Sequence, residues 1–261
     1  MSSKKKQPEH LIVKVLKNCQ KKIAPNTGNI AFEVNSGFGI ADVVFFNFDN
    51  ELVENRRNLK IPVIKSYEIL ETFAVINRLN SNKINVTNLY NKLPYSEKAF
   101  KKNILNFMLD NNIAKMIGSD LLELQCTFKC VLKETVAIEA KVENWQRGFY
   151  QAFRYKQYAD YSFLALHSNN IERAKKNLNL FQDFNIGLIS VDTHGNDANI
   201  LYQPKKENQA IADKIRYYAS ENVLSKLGII SQEANTFSQT GMKLASVDLS
   251  NFIPQVVSRN S

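Results

Sequence analysis

A carboxylate and an ammonium stand two residues apart at Glu139 and Lys141, in the run Ile138-Glu139-Ala140-Lys141-Val142. That run continues the apolar segment 135–138, so the period of two of an extended strand puts both side chains on one face. A second carboxylate, Asp42, interrupts the apolar run Gly39-Ile40-Ala41-Asp42-Val43-Val44-Phe45-Phe46. A buried carboxylate is costly unless it is paired or binds a metal. Two acids and a lysine suffice for metal-assisted phosphodiester hydrolysis. Acids hold a divalent cation that polarises phosphate and activates water, and hard cations such as Mg²⁺ take oxygen ligands. A rival reading leaves Asp42 at the start of its strand, facing solvent at a bend. An E-x-K triplet alone carries little, because about one or two fall by chance in a chain of this composition.

The elements that would position these residues are legible as changes of period. Ile-, Val- and Phe-rich segments at 29–34 and 39–48, separated by Gly37-Phe38-Gly39, predict two antiparallel strands in a β-rich block that runs from Asn29 to about Ile64. Beyond the middle of the chain, a strand at 135–142, a helix from Trp145 to about Asp160 and a strand at 161–166 alternate. Ile171, Ala174, Leu178 and Phe181 mark another amphipathic helix, and 186–191 another strand, giving a β-α-β-α-β series with right-handed crossovers. A further helix is expected over 208–227, and the polar stretch from about Ser231 has no period and reads as a tail or arm.

Between the two blocks the pattern becomes helical. Tyr67, Leu70, Phe73, Ala74 and Ile76 predict one helix ending near Leu79, and 86–93 a second. After Pro94, Ser96 can cap a third that carries Phe100, Ile104, Leu105, Phe107 and Met108. A hairpin over 113–117 and 121–124, turning at Gly118-Ser119-Asp120, follows. Three helices and a hairpin in that order resemble a winged helix, whose third helix enters a DNA groove. Lys98, Lys101 and Lys102 lie near the start of that helix and are the expected DNA contacts. The rival reading makes them a solvated face on an insert that packs or recruits a protein.

With an acidic strand residue before the E-x-K strand and an amphipathic helix after it, the chain resembles the PD-(D/E)XK nuclease superfamily. The likeness spans Asn29 to about Asp192 with the winged-helix-like insert removed. It implies an α/β, restriction-endonuclease-like fold, a mixed central sheet flanked by helices and interrupted by a small α+β insert. The expected division is a basic N-terminal segment 1–28, a discontinuous nuclease core 29–64 and 126–228, the insert 65–125 and a polar tail 229–261. By resemblance, Asp42 matches the half-motif aspartate, Glu139 the second carboxylate and Lys141 the lysine; Ala41 stands where the family has proline. The likeness further implies that Asp42, Glu139 and the Ala140 carbonyl ligate Mg²⁺, with Mn²⁺ able to substitute, and that Lys141 positions or activates the attacking water. Gln151 resembles a helix glutamine that reaches the active site in several branches. Arg147, Arg154 and Tyr155 on the same helix are the expected contacts to DNA, and Glu33 is a candidate extra acid. Duplex DNA is the implied substrate, restriction or phage defence the implied role. One site cuts one strand, so a homodimer or partner subunit is compatible.

A formal net charge of +9 and a pI near 9.3 agree with a polyanionic partner. Seven lysines against one glutamate, Glu9, fall within residues 1–22, a segment expected to be mobile or partly helical, and the Lys, Asn and Ile bias also fits an AT-rich genome. Cys19, Cys126 and Cys130 make an odd number, which argues for a reducing compartment and against a disulfide framework; with His10, His167 and His194 scattered, no zinc site is expected. Residues 1–10 are polar and no apolar run reaches the length of a membrane span, so neither signal peptide nor membrane is expected and the cytoplasm is the expected location. Phosphate loop, G-x-S-x-G elbow and H-E-x-x-H helix are all absent from the sequence. Two other readings stand beside the nuclease: a winged-helix DNA-binding protein without chemistry, and an interaction subunit of a larger assembly.

Overall fold

The computed structural model describes residues 9–207 and 213–230. The first eight residues, the start of the expected helix at 208–212 and the expected tail from 231 lie outside the described residues. A six-stranded mixed sheet in the order β1-β2-β6-β7-β8-β9 organises the chain. Its strands are β1 (Asn29–Asn35), β2 (Ile40–Phe48), β6 (Leu132–Lys141), β7 (Tyr161–His167), β8 (Gly187–Asp192) and β9 (Asp197–Tyr202). β1, β2 and β6 pair antiparallel, β6, β7 and β8 parallel, and β9 returns antiparallel along β8. The β1–β2 hairpin closes at Ser36–Gly39, where Gly37 has φ +83°. A Cβ there would also collide with the Tyr67 hydroxyl, which donates to the Ser36 carbonyl.

Both faces of the sheet are covered, which is why its parallel strands read as continuous apolar runs. Phe163 and Ala165 of β7 join Val43, Phe45, Ile138 and Ala140 under α1 (Glu9–Asn18). Leu164 and Leu166 point the other way, toward Trp145 and Phe149 of α8 (Trp145–Tyr155), the crossover helix between β6 and β7. From Glu9 onward the N-terminal segment is therefore part of the core: α1 and α2 (Gln20–Ile23) bury Ile12, Val15, Leu16 and Ile23 against the sheet. Sequence pattern also missed α3 (Asn50–Asn58), a polar helix whose N-cap Asp49 accepts from the Leu52 N–H at 3.2 Å, and the edge strand β9.

The segment between β2 and β6 forms α4 (Tyr67–Leu79), β3 (Lys83–Asn85), α5 (Val86–Tyr90), α6 (Glu97–Ala99), a π-helical stretch Phe100–Leu105, α7 (Asn106–Asp110), β4 (Ala114–Met116) and β5 (Leu121–Leu124). The short strand β3, unforeseen from the pattern, completes an antiparallel sheet of order β3-β5-β4. Its apolar cluster of Leu70, Phe73, Leu89, Phe100, Ile104, Met108 and Leu122 runs on into Ile61, Ile64, Phe128 and Tyr217. Phe73 and Phe128 stack at 4.2 Å. The insert thus shares its core with α11 (Asp213–Lys226) rather than hanging from a linker. The single helix expected from Ile171 to Phe181 is two short ones, α9 (Glu172–Lys175) and α10 (Leu178–Asp183), because the chain turns at Lys176-Asn177. No helix among the described residues is long and apolar enough to cross a membrane.

Candidate active site

Asp42 and Glu139 come together where the β2–β6 ladder stops. Its pairs run from Phe48 opposite Leu132 to Val43 opposite Ile138. One further step would set Asp42 across from Glu139. There the Asp42 Oδ2 accepts the Ala140 N–H at 2.7 Å in place of a backbone partner. A strand residue turns its N–H and C=O to the same edge, so the Ala140 carbonyl also faces the β2 side.

Lys141 closes the group. Its ammonium lies 2.6 Å from the Glu139 carboxylate and 3.2 Å from the Ala140 carbonyl. Glu139 is 1% exposed, and its other oxygen accepts the Tyr155 hydroxyl, which also donates to the Ile40 carbonyl at 2.7 Å. Burial pushes the Glu139 carboxyl above its usual value, and the neighbouring Asp42 charge adds to this against Lys141 and Tyr155. Burial likewise raises Asp42, against the Ala140 N–H and Lys141, while Glu9 and Glu33 add repulsion. Burial works to lower the Lys141 pKa, but the hydrogen bond and charge of Glu139, with Glu9 and Asp42 behind it, raise it on balance. Two crowded acids held by one ammonium form an oxygen-rich site with charge left to neutralise. Family models, curated proteins and solved structures yield no match to this chain.

Helix α8 lies over the site along one stripe. A Cβ at Gly148 would sit 3.0 Å from Lys141 Cγ, and Tyr155 reaches Glu139. Gln151, one turn from each, falls between them, and its Oε1 is buried without a hydrogen-bond partner. The expectation that Tyr155 touches DNA is corrected: its ring is wholly buried, and its hydroxyl is spent on Glu139 and Ile40. Arg147 and Arg154 are exposed on the neighbouring stripe, seven residues apart.

Glu33, the candidate extra acid, is exposed on β1 and stands across from Asp42, between the pairs Phe32–Val43 and Val34–Ala41. Its backbone is left-handed, φ +50°. Sequence reasoning missed Glu9, at the head of α1, whose carboxylate is 3.6 Å from the Lys141 ammonium. The signal was present: Ile12, Val15 and Leu16 at helical spacing just after Glu9 mark a helix that must pack. Lys98, Lys101 and Lys102 are exposed on the insert, far from this group in the chain, and Lys101 pairs with Glu97 at 2.6 Å. Among the described residues no three His, Cys, Asp or Glu side chains converge as a metal-holding group, Cys126 and Cys130 included.

Proposed function

We propose that the chain is a metal-dependent nuclease of the PD-(D/E)XK kind that hydrolyses phosphodiester bonds in duplex DNA. The observation that carries this reading is the set Asp42, Glu139 and Lys141, with the two acids at the lapse of the β2–β6 ladder and the ammonium 2.6 Å from one of them. The mixed sheet and the crossover helix after β6 fit the restriction-endonuclease-like fold. The donor set fits a hard cation. Asp42, Glu139 and the Ala140 carbonyl offer oxygens only, and the acids' raised proton affinity is what a bound cation relieves. Mg²⁺, with Mn²⁺ as substitute, would polarise the scissile phosphate and make water nucleophilic.

The chain's own residues do the rest. Lys141 holds its proton and faces the phosphate as a fixed positive charge, steadying the charge that develops on it. Tyr155 fixes the orientation of Glu139, and Gln151, which lies between Gly148 and Tyr155 on α8, orients the network. Arg147 and Arg154 flank the opening as phosphate contacts.

The helix-strand-helix-helix-strand-strand order of the insert, with sheet order β3-β5-β4, fits a winged helix, and Lys98, Lys101 and Lys102 are exposed on its third helix. This observation equally supports the second reading, a DNA-binding protein or subunit without chemistry. Plasmid and linear duplex incubated with Mg²⁺, Mn²⁺ or EDTA separates the two. Cutting that needs the cation and is lost in Glu139→Ala supports the nuclease. Binding without cutting under every cation moves the protein to the second reading. Restriction or phage defence is the cellular role proposed with it.

A further inference from the structure

The exposed ridge of α1 has no part in the site described above. His10, Lys14 and Lys17 fall at i, i+4 and i+7, one line along the helix, and all three are exposed. The opposite face is fixed: Ile12, Val15 and Leu16 are at most 3% exposed against the sheet. The next cations are already engaged, Lys21 with the Thr27 carbonyl at 3.1 Å and Lys22 with Asp197 at 2.8 Å. Lys14 and Lys17 have no acidic partner among the described residues. The one acid of α1, Glu9, is turned to Lys141.

We infer that this ridge is a track for the phosphate backbone of the duplex, leading to Lys141 and Glu139; the inference rests on the nuclease reading. A rise of about 1.5 Å per residue puts Lys14 roughly 8 Å and Lys17 roughly 12 Å along the axis from Glu9. The ridge from His10 to Lys17 then spans about 10 Å, the rise of about three nucleotides of one strand. Arg147 and Arg154 of α8 lie on the other face of the sheet, so the site would have cations on both sides. The geometry favours nucleic acid over an anionic membrane. A membrane-surface helix inserts its apolar face into lipid, and that face of α1 is committed to the protein core.

The test is binding of the full chain to a fluorescent duplex in EDTA across a salt series, for wild type, Lys14→Glu/Lys17→Glu, Lys14→Arg/Lys17→Arg, and Lys60→Glu/Lys205→Glu as a control of equal charge change at other exposed lysines. The α1 double reversal is expected to weaken binding at least tenfold and to lower the slope of log K against log salt by about 2, as two lost phosphate contacts require. The arginine pair and the control are expected to stay within about threefold of wild type. Wild-type binding that the α1 reversal leaves unchanged, or that the control weakens equally, overturns the track while leaving the nuclease reading in place. A wild type with no affinity for duplex overturns that reading itself. Loss of binding to phosphatidylserine vesicles with duplex binding intact would assign the ridge to a membrane instead.

Discussion

At the scale of single residues, the site depends on how closely α8 approaches β6. Gly148 is the contact point: an added methyl would stand 2.5 Å from Leu164 Cδ1 and 3.0 Å from Lys141 Cγ. Crowding of that kind costs about 1–3 kcal/mol, and here it also pushes on the stem of the lysine. Gly148→Ala is therefore expected to lower the unfolding midpoint in urea and to reduce cleavage further than the loss of folded protein explains. An unchanged midpoint and rate would mean that Leu164 and Lys141 yield freely. The Glu139–Lys141 pair was legible because a strand's period of two needs only local sequence. Asp42 was legible because an acid in an apolar run demands a reason. The helix that carries Glu9 was legible from Ile12, Val15 and Leu16, but the approach of Glu9 to Lys141 and of the Tyr155 hydroxyl to Glu139 was not, since both reach the site only after distant elements pack. Tyr155 further misled because a tyrosine one turn from a glutamine suits a surface as well as a core.

Elements are tied to one another by buried charge. Arg56 of α3 and Glu221 of α11 form an ion pair at 7% and 2% side-chain exposure, and Glu221 also accepts the Ile64 N–H at 2.7 Å. Arg56 donates to the Pro62 carbonyl at 2.7 Å and stands over the Phe128 ring. Removing one partner of such a pair strands the other, at a cost of about 3–5 kcal/mol. Glu221→Ala should lose about that much in denaturant unfolding, whereas Arg56→Met/Glu221→Met should recover much of it. A single mutant as stable as wild type would show the pair to be idle. Pattern missed α3 because its polar sequence has almost no apolar stripe; it is held by a cap and by this pair.

A second tie joins the insert to the core. Glu71 of α4 accepts from Lys214 of α11 at 2.6 Å and from the Tyr95 hydroxyl. Burial works to raise its pKa, but Lys214 and Tyr95 lower it on balance from 4.5. A depressed folded pKa means that this stability is complete above 4.5 and is lost as pH falls through the lower folded value. The stability gap between wild type and Glu71→Gln should therefore be largest near neutrality and close on acidification below that window. A gap that widens in acid would reverse the assignment.

For the whole molecule, the alternation of periods predicted two antiparallel strands, a β-α-β-α-β series and an α+β segment between them, and the single mixed sheet wrapped by helices was what the family resemblance implied. The order of strands was invisible because it is set by ladders between distant segments, such as Val43 opposite Ile138 and Phe163 opposite Gly187, and the merging of the insert's core with α11 because it is set by contacts among Phe73, Phe128 and Tyr217. Net charge of +9 pointed to a polyanion without locating it. Exposed cations stand at Arg147 and Arg154 of α8, at Lys14 and Lys17 of α1, on the insert and elsewhere on the surface. The central claim is that Asp42 and Glu139 together hold one divalent cation. Calorimetric titration of Mn²⁺ into wild type, Asp42→Asn and Glu139→Gln tests it without requiring the right substrate. One site in wild type, lost in both variants while their folding is retained, is the result predicted; equal Mn²⁺ binding by all three proteins, or none by wild type, would contradict it.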